Sequence, residues 1–464
     1  MAAPDDVRGQ VLALVRRHGW NTTVFQTLEA GYSYLIHGDT CVAYVDTGGA
    51  WVAAGAPIAP SHELADAAAR FLDAAQTAGK RACFFAAEER LLSAAGVTLR
   101  ALRIGEQPVW DPRAWPDVLA RHRSLREQLR RARAKGVEVR ALQARELEHD
   151  DVRDAVLRLA DRWLETRRLA PMGFLVQVDP LTFPDLRRCF VAELGGELVG
   201  FAGVVPVPAR DGWFVEDLLR DPKAPNGTVE LLVDAVMRWV AAEGSAWLTL
   251  GLAPLAGEVS GLLRLARRGG AVFYDFQGLR AYKAKLRPNA WVPVYLAFPA
   301  TQGAAVSLVD ALAAFTHDGF LRFGLRSLSR APGTTLLLRV LTALLIPWTV
   351  LLASSPVEPW FGHAAVKWGW VAFDLLLAAG LLHLAWRPGR RLTTVLCLAV
   401  SSDALLTVLQ AALWNLPQAH RPFEYAVIAL ACAGPALAVL VLWRVRRLGA
   451  GTADRATSSV ARPS

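Results

Sequence analysis

The sequence predicts two mixed α/β domains followed by an all-α region of four membrane-crossing helices. Two observations carry that prediction. Residues 1–330 alternate short apolar runs with charged stretches, whereas 334–445 are mostly apolar, with charge confined to short breaks. The 464 residues are 53% hydrophobic and only 20% charged, at a mean hydropathy of +0.27. Those values exclude a disordered chain and an entirely water-soluble one.

The elements follow in order. Residues 5–17 read as an amphipathic helix, 32–36, 41–45, 50–54 and 82–86 as strands, and 61–78 as a helix with Ser61 as its N-cap. Residues 115–135 are helical and basic, and 150–168 form the next helix. Strands 189–194 and 198–205 meet at Gly195-Gly196, a hairpin signal. A strand at 212–217, a helix at 227–243 opened by Asn226, a strand at 246–251, a helix at 257–268 and a strand at 292–298 complete the second domain. Two successive units of this kind suggest a duplicated fold without a visible sequence repeat. The resulting division is 1–112, first α/β domain; 113–136, basic connecting helix; 137–300, second α/β domain; 301–333, linker; 334–445, membrane helices; 446–464, disordered basic tail.

The four spans are 336–354, 364–386, 392–414 and 423–443, each close to the roughly 20 residues that cross the hydrocarbon layer. Arg322, Arg326 and Arg330 precede the first span. Arg387, Arg390 and Arg391 separate the second from the third, and Arg444, Arg446 and Arg447 follow the fourth. The positive-inside rule then puts the N-terminal region in the cytoplasm. The N-terminus, with Asp5 and Asp6 and no long apolar run, does not read as a secretory signal. Asp374 and Asp403 fall mid-span, where a carboxylate either lines a polar pocket or proton path, or joins helices as a hydrogen-bonded acid.

The net charge is +9, from 51 Lys+Arg against 42 Asp+Glu, and favours anionic partners. Only six of the bases are lysines, which makes the close pair Lys283/Lys285 stand out. Eight bases lie between Arg121 and Arg140 against Glu127 and Glu138. Arg126, Arg130, Arg131, Arg133 and Lys135 could track a phosphate backbone. Without interleaved aromatics, the charge run alone reads better as a solvated joining helix. The five cysteines are scattered, with no metal-ligand or disulfide spacing, and no metal or cofactor is expected.

Three stretches can carry chemistry. In Phe214-Val-Glu-Asp-Leu-Leu-Arg220 a strand delivers Glu216, Asp217 and Arg220 to its end. The following turn Asn226-Gly-Thr228 opens a helix whose free N–H groups can hold an anion. An Asp–Arg salt bridge at a strand end explains the same spacing. Leu250-Gly-Leu-Ala-Pro-Leu-Ala-Gly257 forms an irregular turn where backbone can approach a ligand. Phe273 to Pro288 sets Arg280, Lys283, Lys285 and Arg287 around Tyr282, which suits an RNA end or a lipid phosphate; a basic surface helix is the plainer alternative. No P-loop, GxGxxG, HExxH or GxSxG is present. The Arg/Gln-x-x-Gly-x-Gly/Ala loop that binds the pyrophosphate of acyl-CoA is not matched at 220–228.

At these residues the sequence resembles the C-terminal synthase domain of bacterial phosphatidylglycerol lysyltransferases, the multiple peptide resistance factor family. The resemblance covers roughly 20–300. It rests on Asp217-Leu-Leu-Arg220, Leu250 to Gly257, and Phe276-Gln-Gly-Leu-Arg-Ala-Tyr-Lys-Ala-Lys285 with Pro288, Trp291 and Tyr295. It implies tandem acetyltransferase-like (GNAT) domains. It also implies transfer of an aminoacyl group from aminoacyl-tRNA to phosphatidylglycerol or another anionic lipid, without a cofactor, at the inner membrane of a bacterium. Asp217, Arg220, Glu230 and Lys283 would be the catalytic set, with Asp217 as candidate general base. Asn226, Gly251, Gly278, Arg280, Tyr282 and Lys285 would bind substrate. Arg126, Arg130, Arg131 and Arg133 would track the tRNA, which revises the plainer reading of their helix. Two departures are expected to matter. The family's long membrane region precedes the synthase, whereas the apolar spans here follow it, so a flippase role is not implied. Glu230 stands where Asp is expected, leaving the amino acid open. An acyl-CoA-dependent N- or O-acyltransferase and a non-catalytic tether for tRNA or anionic lipid are the competing readings.

Overall fold

The computed structural model describes residues 4–166, 173–176, 178–256 and 276–316, and between 341 and 443 chiefly 360–386 and 389–419. The expected helix at 257–268 and the tail at 446–464 lie outside the described residues. The chain forms two compact units, 1–324 and 325–464.

The first unit starts with α1 (Pro4–His18) and a 3₁₀ turn, Phe25–Leu28. The meander β1 (Ser33–His37), β2 (Thr40–Asp46) and β3 (Ala50–Ala54) follows, then α2 (Leu64–Thr77) and β4 (Arg81–Ala87). Ser61 does not cap α2. It opens a 3₁₀ turn, and its hydroxyl accepts from Arg90 at 3.1 Å. Next come α3 (Glu89–Ala95), β5 (Leu99–Trp110), α4 (Trp115–Arg121), α5 (Arg123–Ala134), β6 (Val137–Leu142) and α6 (Asp150–Glu165). The basic stretch is thus two helices, broken at His122. A second meander consists of β7 (Arg188–Leu194), β8 (Glu197–Val207) and β9 (Gly212–Arg220). It is followed by α7 (Thr228–Ala242), β10 (Trp247–Thr249), the short β11 (Ala253–Pro254), α8 (Phe276–Lys285), β12 (Ala290–Pro299) and α9 (Ala304–Ala314).

All strands join one sheet, in the order β1-β2-β3-β4-β12-β5-β10-β9-β8-β7-β6, with β11 against β5. The two meanders trace the same path. Each has three antiparallel strands, then a helix, then a strand parallel to the third: β3 with β4, and β9 with β10. Gly195 and Gly196, both at positive φ, make the β7–β8 turn as the sequence indicates. A boundary at 112–137 does not divide this sheet. The last strand, β12, crosses back to lie between β4 and β5, and β5 pairs with both β12 and β10.

Helices cover the sheet by burying small and branched apolar faces. Leu64, Ala67, Ala68, Phe71 and Ala75 of α2 pack on β2, β3 and β4. Leu231, Leu232, Val236 and Val240 of α7 pack on the second meander together with Leu125, Leu129 and Ala132 of α5. Each such leucine contributes roughly 1.5–3 kcal/mol of burial, which ties α5 to α7 rather than leaving it a solvated joint. The described part of the stretch expected as a linker, residues 301–316, also folds. Within it, α9 buries Ala311 and Ala314 on the sheet, and Asp310 takes two hydrogen bonds from Arg81 at 2.7 and 2.6 Å.

In the second unit, α10 (Ala364–Trp386) and α11 (Arg390–Gln410) are long and apolar enough to cross a membrane. They pack through Leu377, Leu381, Leu396 and Val400, while Leu375, Leu376, Leu398 and Leu405 face outward. The first and fourth expected spans lie partly outside the described residues. Leu341, Leu345, Ala438 and Leu442 from them join the same core. Asp374 and Asp403 are buried, with Thr349 and Thr407 at 3.5 and 3.3 Å from their carboxylates.

Candidate active site

The centre of the site is an irregularity in β9. Gly203 of β8 pairs with Asp217, but Val204 pairs with Val215, so Glu216 is an extra residue in the ladder. A regular strand would send Glu216 and Asp217 to opposite faces; the bulge turns both to one. There they meet Arg187, whose side chain has no solvent exposure. Its Nη1 lies 2.7 Å from Asp217 Oδ2 and its Nη2 2.8 Å from Glu216 Oε2. Nε and Nη2 also donate to the carbonyl and hydroxyl of Thr182, at 3.1 and 2.9 Å. Glycine at 203 leaves room for this packing, because a Cβ there would press on Asp217 Oδ2 at 3.1 Å and on Arg187 Nη1 at 3.2 Å.

A third carboxylate arrives from the other end of the chain. Glu29, just past the turn Phe25–Leu28, is buried, and burial, reinforced by the Glu216 charge, pushes its pKa up to about 8. Burial likewise raises Glu216 and Asp217 above the usual carboxylate range, with Arg187 pulling the other way. Tyr32 adds a buried hydroxyl with no hydrogen-bond partner among the described residues, its pKa raised by burial and then by Glu29. One guanidinium therefore faces three buried carboxyl groups, a cluster that gains net negative charge, and suits a cation, once Glu29 gives up its proton.

Arg220 and Glu230 do not belong to this cluster. Beyond the bulge the strand alternates, so Leu219 follows Asp217 onto the α6 side, while Leu218 packs with the α7 core. Arg220 shares the face of Leu218. Its Nη2 donates to the Ala224 carbonyl at 2.9 Å, and its buried Nε has no partner among the described residues. The Tyr282 hydroxyl is also buried without one; burial and then the Glu230 charge raise its pKa well above the ordinary value. Asp217 and Arg220, read together in the sequence, thus stand on opposite sides of one strand.

Lys283 does not reach outward to phosphate. It is buried, and its Nζ donates to the carbonyls of Leu250, Gly251 and Leu252 at 2.8, 2.9 and 3.0 Å. Burial lowers its pKa to about 7, while three carbonyl dipoles favour the charged form. The lysine clamps the irregular turn that the sequence singled out. Gly251 is required in that turn at φ +71, with the Phe214 ring 2.7 Å from where a Cβ would be. Arg280 Nε donates to buried Glu106 Oε1 at 2.6 Å and its guanidinium lies 4.7 Å over Trp291, while Arg103 holds the other Glu106 oxygen at 2.9 Å. Gly278 sits half-buried in α8, and Lys285 is exposed at its end.

The anion site expected at Asn226–Thr228 is packed under α5. Gly227, not Asn226, precedes the helix; a Cβ on it would lie 2.3 Å from the Gln128 carbonyl, and Thr228 is fully buried. Asn226 is exposed. The basic helix is divided in its work. Arg126 caps the Leu119 and Ala120 carbonyls of α4, and Arg133 lies 3.0 Å from Asp234, which also takes Trp115 Nε1 and Arg238. Arg130 pairs with Glu127 at 2.9 Å. Arg131 is exposed. Among the described residues no group of three or more His, Cys, Asp or Glu could hold a metal.

The sequence reading missed Arg187, Glu29, Tyr32 and Glu106. A lone acid in the otherwise uncharged run Phe25 to Ile36 was the one signal for Glu29. Nothing local marked Arg187, whose neighbour Arg188 is exposed.

The fold and site define a mixed α/β domain with a duplicated strand path and a buried, carboxylate-rich centre. The family model described as phosphatidylglycerol lysyltransferase, C-terminal, matches residues 12–298, and the chain belongs to that family. It is 29% identical over 177 residues to phosphatidylglycerol lysyltransferase of Bacillus subtilis (strain 168), covering 35% of this chain and 20% of that protein. It is 28% identical over 258 residues to the lysylphosphatidylglycerol biosynthesis bifunctional protein LysX of Nocardia farcinica, covering 51% and 22%. The chain thus spans about a fifth of the length of these relatives. Among solved structures it is similar to the C-terminal domain of a putative lysylphosphatidylglycerol synthetase from Agrobacterium fabrum. That match has a TM-score of 0.59 and 24% identity, over 68% of this chain and all of that one. L-PGS from Bacillus licheniformis matches at TM-score 0.57 and 20% identity, over 68% and 97%. These two likenesses show the fold.

Proposed function

We propose that the chain moves an aminoacyl group from aminoacyl-tRNA to the glycerol hydroxyl of phosphatidylglycerol, on a tandem acetyltransferase-like scaffold. The observation that carries this reading is the buried cluster of Glu29, Glu216 and Asp217 around Arg187, whose carboxylates suit the ammonium of an amino acid. Family membership supplies the acceptor and the donor class.

The chemistry asks little of a cofactor, because the ester that links amino acid to tRNA is already activated. The lipid hydroxyl oxygen attacks the ester carbonyl carbon, the bond to the ribose oxygen breaks, and the hydroxyl proton passes to that ribose oxygen. Fixing the two partners supplies up to about 7–11 kcal/mol of barrier reduction. Glu29, with a pKa near 8, suits a proton carrier better than Asp217, which Arg187 holds by a direct ion pair. The apolar helices α10 and α11 support a membrane-embedded enzyme, and four spans with a cytoplasmic N-terminal region fit the arginine pattern.

An acyl-CoA donor fits less well. In the turn between β9 and α7, Asp221 takes the Lys223 N–H at 2.8 Å and α5 packs on Gly227, so these groups are not free to receive a pyrophosphate.

The test is incorporation of labelled amino acid into lipid by membranes containing the full chain. Incorporation should be RNase-sensitive, and Glu29→Gln and Asp217→Asn should lower it more than tenfold. Labelling that survives RNase overturns the donor assignment. Uptake of a cationic amino-acid amide should strengthen as pH rises from 6 to 8, because Glu29 gives up its proton over that window and the pocket gains negative charge.

A further inference from the structure

A second concave site lies in the first unit, where the end of α4 meets the turn from α8 into β12. Its volume is about 400 Å³, and its lining includes Arg121, His122, Arg287, Asn289 and Trp291. We infer that this cavity takes an unpaired nucleotide of an RNA strand, with phosphate on Arg121, Arg287 and His122 and the base against Trp291. The inference rests on the aminoacyl-tRNA reading and gives the donor a docking place apart from the basic face of α5.

Three features make this a built site rather than a charged patch. The first is that its arginines are uncommitted. Arg126 and Arg133 of the basic stretch are spent on structure, whereas no carboxylate pairs with Arg121 or Arg287 among the described residues. The second is that the turn carrying Arg287 is rigid. Trp110 Nε1 donates to the Leu286 carbonyl at 2.8 Å, Asn289 N donates to the Val109 carbonyl at 2.9 Å, and Asn289 Oδ1 accepts from Asp111 N at 2.9 Å. Those bonds hold Arg287 in the left-handed region at φ +56, a conformation that costs a non-glycine residue energy and persists where the surroundings over-determine it. The third is that the aromatic wall is fixed. Trp291 is half-buried in β12 and stacked with Arg280, which Glu106 in turn holds.

Cations beside a fixed indole ring and a side-chain amide match the way single-stranded RNA is held, by phosphate contacts and base stacking. The volume falls within the roughly 300–1,000 Å³ of small-ligand pockets. A lipid headgroup would use the arginines but gain nothing from the ring and the amide, so RNA is the occupant the chemistry favours.

The experiment uses the full chain in detergent micelles. A fluorescent single-stranded RNA of about twelve nucleotides and, separately, phosphatidylglycerol vesicles serve as probes, across a salt series. Trp291→Ala should weaken RNA binding about tenfold and Trp291→Phe should restore most of it. The double variant Arg121→Ala/Arg287→Ala should lower the slope of log affinity against log salt by about 1.4, two phosphate contacts on a single strand. Vesicle binding should not change in any of the three. RNA binding that is unaltered in every variant overturns the inference and leaves the functional reading standing. Loss of vesicle binding with RNA binding intact overturns it in favour of a lipid site. A wild-type chain that ignores RNA overturns both.

Discussion

The two halves of the sheet run along the same backbone path and do different work. In the first half, β3 reads Ala-Trp-Val-Ala-Ala and buries four of its five residues. In the second half, the equivalent strand β9 carries Glu216, Asp217 and Arg220 and a bulge that sets two carboxylates side by side. The first half reaches this cluster from outside its strands, through Gln26, Glu29 and Tyr32. A repeated path therefore supplies a scaffold, and what sets one copy apart is a single inserted residue and one arginine held in the interior. The arginines show the same contrast. Arg187 is wholly enclosed by its partners, whereas Arg81, which holds Asp310 in the first half, is half exposed.

Five substitutions break or sharpen that contrast. The largest effect is expected for Arg187→Met, which leaves the buried carboxylates without a countercharge and should cost about 3–5 kcal/mol. Arg81→Met should cost only about 1 kcal/mol, because water reaches the pair. Urea unfolding of the two variants measures the difference, and equal losses would erase the distinction between the halves. Next is Lys283→Met. Three buried carbonyls lose their donor at once, and about 3 kcal/mol should go with them, seen as a lower Tm and as proteolysis near 250–252.

Glu29→Gln should act in the opposite direction. The carboxyl titrates near 4.5 when unfolded and near 8 when folded, so between those values the folded chain holds a proton that the unfolded chain has released. That contribution to stability is complete below about pH 4.5 and falls away as pH rises toward 8. The glutamine variant should gain on the order of 4 kcal/mol at pH 8 and nothing at pH 4, read as Tm against pH. Smallest is Gly203→Ala, whose methyl presses on Asp217 and Arg187 at 3.1–3.2 Å and should cost about 1 kcal/mol. Transfer activity should fall further than stability does, since the pair it displaces lines the pocket.

Most strands of the two meanders were legible because they are apolar on both faces, as Cys83 and Phe84 in β4 and Val204 and Val205 in β8 show. The long strand β5 was not. It reads Leu-Arg-Ala-Leu-Arg-Ile-Gly-Glu-Gln-Pro-Val-Trp, and its buried Glu106 and Gln107 are tolerated centrally because each has a specific partner. Glu106 lies between Arg103 and Arg280, and Gln107 accepts from Thr22 at 2.8 Å. Asp217, Gly251 and Lys283 were singled out chiefly through the family resemblance, and the sequence did not show what surrounds them. Lys283 looked like a phosphate contact because lysine is rare in this chain; in the fold it is a structural clamp.

By itself the sequence determined most strands of the two meanders, the separation of a charged domain from an apolar one, and which short motifs hold chemical side chains. Each of these depends on residues near one another along the chain, where hydrophobic periodicity and turn chemistry act. The tertiary structure alone decided which charges share a space. A one-residue bulge moved Glu216 to the side of Asp217, strand alternation sent Arg220 to the other, and Glu29 and Arg187 came in from 187 and 30 residues away. The physical reason is that a buried charge is set by what surrounds it in three dimensions. Register, burial and countercharge at that point are sums over distant segments, and no local pattern records them.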